Sequence, residues 1–488
     1  MFDIIKSTFK HTAIYSIGSI SPKLIGIILL PIYTKWFTPS EYGIFGILEI
    51  TIYLLTQILL LGQPESFLRL YNLDEYIIKR KSTLFNILIL LFTLGVVSAI
   101  LGELTIPFIS PFFSDSEGFA LYLRLITYVI SFRLIGSFFI GVLRAKEKSG
   151  LYSFAVSFKF LIILLFNIYF IVFKKLGIVG IFYSYIIGEV FLILVISPFL
   201  FHEIELKFDR KILTESLAFG VPIVFLALGA MIMNVGDRYI LKILTNYREV
   251  GLYELGYRFG SLLNLFLVQS FALGYLPQAY KIFGEKNDKR YFSKMNTYFV
   301  FILCWSGLAI SIFSKEVVQL FALDSDYWSA YKVVPIIVLA YIFNGIQTAV
   351  SISLFLTKKT QYIAYTFIFA AAINIGLNFL LIPYFGKMGA AMATLLSFLF
   401  LYLITYYFAN RFYHITYENF KLFKLLAVGM IFFIISLISY NWGIFPSTVF
   451  KLGLIILYPI SLYPIGFYEP VEVQKLLGYI RKVKRFFS

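Results

Sequence analysis

The sequence predicts an all-α integral membrane protein with fourteen transmembrane helices, arranged as two parallel six-helix lobes around a central cavity, with two extra C-terminal helices. Three observations predict this class. Of the 488 residues, 14% are charged and 60% are hydrophobic, with a mean hydropathy of +0.86, whereas a soluble chain carries charge on about a quarter of its residues. The apolar residues also occur in blocks of about twenty, which is the length of a membrane-crossing helix. Finally, the chain repeats its own pattern once.

The apolar blocks are long and continuous, as helices that cross a bilayer require. A transmembrane β-barrel would show strict alternation over about ten residues, and the run at 84–101 does not alternate. The first block is long enough to span the membrane, so we expect it to be retained rather than cleaved as a signal peptide. The predicted spans are numbered in chain order and cover about 12–34, 42–63, 82–103, 119–143, 150–173, 177–201, 214–236, 250–275, 295–314, 332–356, 361–382, 387–410, 421–440 and 449–468.

Lysine and arginine are distributed unevenly between alternate loops. With the N-terminus in the cytoplasm, the inner segments hold about 27 basic residues and the outer loops about 9. Because basic residues resist translocation, this count predicts that both termini are cytoplasmic. The net charge of +16 is then explained by topology and by the anionic inner leaflet, without nucleic acid.

A repeat divides the chain into two similarly oriented halves. The segment EYGIF at 41–45 is followed 208 positions later by EVGLY at 249–253, and GIVG at 177–180 is followed 209 positions later by GKMG at 386–389. Six spans separate the matched points, and an even number preserves orientation. The halves are therefore predicted to be parallel copies related by an axis along the membrane normal.

The repeat and the charge pattern together predict the domain boundaries. The C-terminal stretch interleaves apolar and basic residues, which favours an amphipathic helix on the inner leaflet, although a frayed charged tail would have the same composition. The predicted regions are 1–201 (N-lobe, spans 1–6), 202–213 (cytoplasmic linker), 214–410 (C-lobe, spans 7–12), 411–468 (spans 13 and 14) and 469–488 (basic cytoplasmic tail).

Several ionisable residues lie inside the predicted spans, where each Lys, Arg or Asp costs about 2.5–3.5 kcal/mol near the bilayer centre. Such residues normally face a cavity or a partner. Five are basic and three acidic, and the positive excess favours an anionic ligand such as a diphosphate. They are Lys23, Glu49, Arg124, Arg133, Lys159, Glu189, Glu254 and Arg258.

Depth along each span separates these residues into candidates for different roles. Lys23, Lys159 and Glu189 all fall near the midplane at 1.5 Å per residue. We interpret Lys23 as a cavity residue, and Lys159 with Glu189 as either a pair between neighbouring spans or a coupling site. Arg124 and Arg133 are nine residues apart, on opposite sides of one helix. Arg133 is the deeper candidate for the cavity, and Arg124 can extend to the outer interface.

Two further charged pairs are close in sequence. Glu254 and Arg258 are spaced i, i+4 and can pair on one helix face, so self-contained pairing and ligand contact stay open as alternatives. Asp237 and Arg238 are predicted to end span 7 at the outer rim, where a charged pair costs little. Glu49 in span 2 is a candidate for coupling or pairing.

The sequence also lacks the motifs of several other protein classes. The three histidines, His11, His202 and His414, are too far apart for a metal site, and no G-x-x-x-x-G-K-[ST] loop for ATP is present. The single cysteine, Cys304, excludes an intrachain disulfide. A transporter is therefore expected rather than an enzyme, with no cofactor and no metal site.

Four segments carry a family resemblance that covers about residues 10–410. They are PIYTKWFTPSEYGIF at 31–45, LAFGVPIVFLALGAMIMNVGDRYIL at 217–241, VGLYELGY at 250–257 and NIGLNFLLIPYFGKMGAAMAT at 374–394. Together they resemble the polysaccharide-exporting, Wzx-type branch of the MATE/MOP flippase superfamily. Spans 13 and 14 add little to the resemblance.

The resemblance implies a two-lobed flippase that alternates between inward-open and outward-open states. Its substrate would be an undecaprenyl-diphosphate-linked oligosaccharide, carried across the cytoplasmic (inner) membrane for O-antigen, capsule or exopolysaccharide assembly. Family members line the cavity with cations, and the matching positions here are Lys23 and Arg258. Arg69 in QPESFLRLY also matches a basic position of the family, although it can equally be read as a loop residue that sets topology.

The expected partners are the lipid-linked oligosaccharide, membrane lipid, and a polysaccharide polymerase or glycosyltransferases. Coupling to a proton or Na⁺ gradient through Glu49, Glu189 or Glu254 is an open expectation. The alternatives are a cation-coupled multidrug exporter of the same superfamily, whose cavity should be more acidic or apolar, and a lipid II flippase. A membrane glycosyltransferase or polymerase would need catalytic carboxylates in a large outer loop, which the sequence lacks.

Overall fold

The computed structural model describes residues 25–113, 118–470 and 472–474, with the side chains at 112–113, 226–230, 232 and 234 left undescribed. All regular elements in these ranges are helical. The predicted all-α membrane class is therefore confirmed. Lys23 and most of the basic tail at 469–488 lie outside the described residues.

The N-terminal half of the described chain contains eight helices. Helix α6 ends in a π-helical turn at Tyr169–Phe173. The eight are α1 Ile25–Trp36, α2 Pro39–Leu59, α3 Gln63–Asn72, α4 Arg80–Phe113, α5 Gly118–Ala145, α6 Ser149–Ile168, α7 Gly177–Phe201 and α8 Arg210–Leu244.

The remaining described chain contains ten more helices. A π-helical turn at Asn264–Val268 joins the first two, and a 3₁₀ segment at Ser325–Lys332 precedes the fifth. The ten are α9 Tyr247–Gly260, α10 Gln269–Ile282, α11 Asp288–Ile312, α12 Ser314–Phe321, α13 Val334–Val350, α14 Ile352–Leu356, α15 Gln361–Phe385, α16 Lys387–Phe412, α17 Asn419–Ser436 and α18 Ile444–Ser461.

Twelve helical stretches of the described chain are long and apolar enough to cross a membrane. They correspond to twelve of the fourteen predicted spans. The other two are span 1, of which the structure describes only the part that forms α1, and span 7, which forms α8 and contains the undescribed side chains near its middle. The multi-pass architecture is confirmed, and the count of fourteen stays a prediction.

The chain separates into two compact units by its internal contacts. The N-terminal unit comprises Met1–Lys242, Asn246–Gly251 and Phe321–Asp326, and the C-terminal unit comprises Ile243–Thr245, Leu252–Leu320 and Tyr327–Ser488. Helix α8 thus packs mainly with the N-terminal unit, whereas the sequence repeat assigns it to the second copy. The compact units are defined by packing, whereas the lobes were predicted from the sequence repeat, so the units do not test the lobes. The predicted lobes at 1–201 and 214–410 stay a prediction.

The start of α2 follows directly from the sequence TPSE. The Thr38 hydroxyl accepts a hydrogen bond from the backbone N–H of Glu41 at 3.3 Å, and the Glu41 carboxylate accepts one from the backbone N–H of Thr38 at 2.8 Å. This capping box satisfies two otherwise unpaired donors. Pro39 occupies the first helical position, where its missing N–H costs nothing.

Two glycines of the repeated motif pack against each other within the N-terminal unit. A Cβ atom on Gly43 would lie 1.9 Å from the carbonyl oxygen of Tyr247, and one on Gly251 would lie 1.9 Å from the carbonyl oxygen of Pro39. Each glycine therefore meets the residue four positions before the other. The internal repeat of EYGIF as EVGLY thus corresponds to a symmetric backbone contact between α2 and the start of α9.

The break between α2 and α3 depends on a further glycine, Gly62. Gly62 adopts φ +64°, and the preceding Leu61 is also left-handed at φ 49°. Ser66 in the first turn of α3 donates a hydrogen bond to the Ser216 carbonyl oxygen at 2.8 Å. The kink therefore directs α3 against the start of α8.

In the C-terminal unit, a cluster of charges connects α11 to α17. Glu418 immediately precedes α17, and its carboxylate accepts hydrogen bonds from Lys294 and Thr297 of α11, each at 2.8 Å. Lys421 lies 3.0 Å from the same carboxylate. Burial alone would raise the pKa of Glu418, but these donors outweigh it and hold the pKa below its ordinary value near 4.5.

Replacing Glu418 with glutamine should destabilise this connection. A depressed carboxyl pKa stabilises the folded protein above the unfolded-state pKa and ceases to do so as pH falls through the lower folded-state value. We expect Glu418→Gln to lower the free energy of unfolding at pH 7 by about 1–3 kcal/mol, with the difference from wild type shrinking below pH ~4.5. Thermal unfolding of the purified protein across pH checks this. The exposed Glu205→Gln is the control, and an equal effect there would contradict the assignment.

Candidate functional site

Three helices of the N-terminal unit bring charged side chains together. Helix α7 packs against both α5 and α6. Each of the three contributes one ionisable residue: Arg133 from α5, Lys159 from α6 and Glu189 from α7. We call these three residues the charge cluster.

Within the charge cluster, Glu189 pairs with both cations at once. Its Oε1 accepts a hydrogen bond from Arg133 Nε at 2.8 Å, and its Oε2 lies 2.6 Å from Lys159 Nζ. The Glu189 side chain is 0% exposed, that of Lys159 is 9% exposed and that of Arg133 is 23% exposed. One buried carboxylate therefore forms ion pairs with two cations, which leaves the cluster with a net charge of +1.

Small residues create the space in which these charges meet. A Cβ atom on Gly136 of α5 would lie 2.9 Å from Glu189 Oε2, and one on Gly188 of α7 would lie 2.5 Å from Ile163 Cγ1 of α6. The two glycines therefore allow α5, α7 and α6 to approach closely enough for direct ion pairs.

Aromatic and acidic groups adjoin the charge cluster on the side of α2. The Arg133 guanidinium carbon lies 5.6 Å from the centre of the Tyr185 ring, a distance at which cation–π attraction operates. The Tyr185 hydroxyl donates a hydrogen bond to Glu49 Oε1 at 3.2 Å. Glu49, the predicted coupling candidate of span 2, is thus connected to Arg133 through one tyrosine.

The C-terminal unit contains the predicted pair on α9. Arg258 Nε donates to Glu254 Oε1 at 3.0 Å, with the side chains 23% and 12% exposed respectively. Next to this pair, the hydroxyls of Tyr257 and Tyr341 lie 2.6 Å apart. The i, i+4 contact is present, and both charged residues also take part in further interactions.

Two of the remaining predicted cations, Arg69 and Arg124, have neighbours outside the charge cluster. Arg69 is exposed on α3, with its guanidinium carbon 4.5 Å from the centre of the Phe219 ring. Arg124 is half exposed and forms an ion pair of 3.0 Å with Glu103, away from Arg133 as the helical spacing predicts. Lys23 lies outside the described residues.

The prediction that a helix ends at Asp237 and Arg238 is wrong, while their position at the outer rim of the membrane stays a prediction. Helix α8 continues through both residues to Leu244. Arg238 Nη1 lies 2.7 Å from Asp237 Oδ1, and the two side chains are 3% and 0% exposed. The two charged residues interrupt the apolar run of span 7, which is why the sequence suggested a helix end. In the structure the neighbouring helices cover both side chains, so the charges are buried and not exposed to water.

Sequence reasoning missed one buried pair in the C-terminal unit. Lys451 of α18 is fully buried, and its Nζ lies 2.5 Å from Glu316 Oε1 of α12 and 5.0 Å from the centre of the Tyr440 ring. A lysine near the start of predicted span 14 was the available signal. Its partner lies 135 positions earlier, just beyond span 9, and no local spacing connects the two.

The arrangement suits electrostatic binding of an anion. No group of three metal-binding side chains occurs among the residues that the structure describes. The charge cluster offers a partly exposed guanidinium, which matches phosphate and carboxylate geometry well.

Similarity to known proteins identifies the family of this chain. The protein family described as "Polysaccharide biosynthesis protein" matches residues 8–283, which is more than half of the sequence. The chain belongs to this family. A search of curated proteins found no match to this polysaccharide biosynthesis protein.

Several solved structures share the fold of this polysaccharide biosynthesis protein. A lipid II flippase MurJ in an inward closed conformation aligns with a TM-score of 0.75 and 16% identity, over 92% of this chain and 98% of that one. An inward-facing multidrug resistance MATE family transporter of the MOP superfamily aligns with a TM-score of 0.65 and 17% identity, over 85% and 98%. A MOP superfamily transporter from Pyrococcus furiosus, described as having a binding pocket of reverse polarity, aligns with a TM-score of 0.57 and 17% identity, over 86% and 96%. The predicted MATE/MOP-like fold is confirmed.

Proposed function

We propose that this protein is a flippase that moves a polyprenyl-diphosphate-linked oligosaccharide across the cytoplasmic membrane during O-antigen, capsule or exopolysaccharide biosynthesis. The single observation that carries the proposal is the family match over residues 8–283. The fold shared with a lipid II flippase and with MATE transporters supports transport as the activity. The proposed transport mechanism is alternating access between inward-open and outward-open states.

Within this proposal, cations bind the diphosphate while the polyprenyl chain stays in the bilayer. Two of the proposed substrate-binding cations, Arg133 and Arg258, have partly exposed side chains. Lys23 and Arg69 complete the proposed set from the sequence. A positive excess disfavours the alternative of a cation-coupled multidrug exporter, because cationic drugs need acidic or apolar sites.

Coupling to a H⁺ or Na⁺ gradient is a further part of the proposal. Glu49 is the preferred coupling residue, because its side chain is partly exposed and touches the Tyr185 hydroxyl beside Arg133. Glu189 is enclosed by two cations, which favours a structural role for it.

We also propose that both termini are cytoplasmic. The proposed partners are the polymerase and the glycosyltransferases of the same polysaccharide assembly.

Deletion of the gene tests the substrate. We expect surface polysaccharide to disappear and lipid-linked oligosaccharide to accumulate in the membrane, with both effects reversed by the wild-type gene. Accumulation of lipid II with arrested growth would favour the peptidoglycan-precursor flippase instead. Drug sensitivity with normal polysaccharide would favour the multidrug exporter. Mass spectrometry of extracted lipid intermediates, together with drug susceptibility, separates the three outcomes.

A further inference from the structure

The charge cluster uses only part of the hydrogen-bonding capacity of Arg133. A guanidinium has five N–H donors, and Nε donates one of them to Glu189 Oε1 at 2.8 Å. The terminal nitrogens Nη1 and Nη2 make no hydrogen bond to any residue in the described ranges 25–113, 118–470 and 472–474. Four N–H donors on the planar fork are therefore left for a ligand.

Lys159 does not compete for the same ligand. Its side chain is 9% exposed, and its ammonium lies 2.6 Å from Glu189 Oε2, the oxygen that Arg133 does not use. The carboxylate therefore neutralises the buried ammonium on one side and fixes the guanidinium on the other. The remaining net charge of the cluster resides on Arg133, the most exposed of its members.

The contact with Glu189 is made at Nε, on the side of the Arg133 guanidinium. A carboxylate that binds a guanidinium through the two terminal nitrogens occupies two of the five N–H donors, one on each terminal nitrogen, so fewer of them are left for an incoming anion. Here the acceptor lies at Nε, so all four N–H donors of the two terminal nitrogens are left for an anion. The Tyr185 ring at 5.6 Å from the guanidinium carbon restricts the guanidinium from a second direction.

We infer that Glu189 is a positioning residue for anion binding: it fixes Arg133 through Nε so that the terminal guanidinium N–H groups bind a phosphate group, while it neutralises Lys159. The inference rests on the proposed function for the source of that phosphate, the diphosphate of the lipid carrier. The site recognises phosphate chemistry in general, so free pyrophosphate serves as a probe that does not require transport.

Two double variants with the same net charge separate positioning from charge alone. Lys159→Met/Glu189→Gln keeps an oxygen that can accept from Arg133 Nε, whereas Lys159→Met/Glu189→Leu removes that acceptor. Both leave Arg133 as the one net charge of the cluster. In detergent-purified full-length protein, we expect the Gln variant to bind inorganic pyrophosphate within about threefold of wild type, and the Leu variant to bind roughly tenfold or more weakly. Calorimetric titration measures both.

Equal pyrophosphate affinity of the two double variants would overturn the inference, and so would unchanged affinity in Arg133→Gln. If the Leu variant does not fold, as judged by size-exclusion chromatography, Arg133→Lys replaces it. That change keeps the positive charge but removes the planar guanidinium fork, and we expect pyrophosphate to bind roughly tenfold more weakly. Full affinity would again overturn the inference.

A parallel titration with glucuronate tests the class of anion, because glucuronate binding without pyrophosphate binding would contradict the assignment to phosphate. Pyrophosphate binding in a protein that transports no lipid-linked oligosaccharide would reject the proposed function but not the positioning role.

Discussion

Arg133→Ala is expected to abolish export of surface polysaccharide while the protein stays folded in the membrane. The change removes the partly exposed guanidinium of the charge cluster but leaves Glu189 paired with Lys159 at 2.6 Å, so the buried carboxylate is not left without a cation. Losing one partner of a charge-paired contact with a ligand costs about 2–5 kcal/mol, which corresponds to roughly 30-fold or more in affinity. Complementation of a deletion strain, scored by surface polysaccharide, measures the effect.

A matched control is available on the same helix. Arg124 of α5 is half exposed and pairs with Glu103 at 3.0 Å, so Arg124→Ala removes the same side chain from a different surface. We expect it to retain wild-type export. Export that survives Arg133→Ala, or that is lost equally in both variants at normal protein levels, would contradict the role given to Arg133.

Introducing a methyl group at Gly43 or Gly251 is expected to cause a large loss of stability. The new Cβ would lie 1.9 Å from a backbone carbonyl oxygen, Tyr247 in one case and Pro39 in the other. Side-chain rotation cannot relieve a clash with backbone, so α2 and the first turn of α9 must move apart. Overpacking typically costs about 1–3 kcal/mol, and we expect the upper end of that range for Gly43→Ala and for Gly251→Ala.

The thermal unfolding midpoint of purified protein measures this loss. Gly376→Ala is the control, because nothing lies within 4 Å of a Cβ atom built at Gly376 on helix α15. Alanine favours a helix over glycine by about 1 kcal/mol, so the control should be neutral or stabilising. Wild-type unfolding of Gly43→Ala, or an equal loss in the Gly376 control, would show that the close contact of the two motifs is not required.

Sequence predicted the fold well where the signal was local. Block length and hydropathy predicted the helices, because the bilayer imposes a length of about twenty apolar residues on each span. The motif TPSE accounts for the start of α2 at Pro39, three residues before the predicted start of span 2 at 42, because a capping box depends on residues three apart. Span ends were less certain: α8 continues past 236 to Leu244, since a buried pair such as Asp237 and Arg238 reads as a helix end when neighbouring helices are unknown.

Depth could be predicted for the charged residues, but their partners could not. Counting 1.5 Å per residue placed Lys159 and Glu189 at a similar level. It could not reveal that Arg133 shares the same carboxylate, because the rotation of α5 against α7 depends on packing at Gly136. The ion pair between Lys451 and Glu316 could not be predicted from the sequence for the same reason, because only tertiary packing brings α18 next to α12.

Reconstituted transport tests the central claim most directly. Purified protein is inserted into liposomes that contain a polyprenyl-diphosphate-linked oligosaccharide, and the fraction of glycan accessible to an enzyme added outside is followed over time. We expect wild type to equilibrate the glycan between leaflets and Arg133→Ala to leave it at the level of protein-free liposomes, while Arg124→Ala equilibrates it as wild type does. Equal rates for wild type and protein-free liposomes, or transport unaffected by Arg133→Ala, would contradict the account.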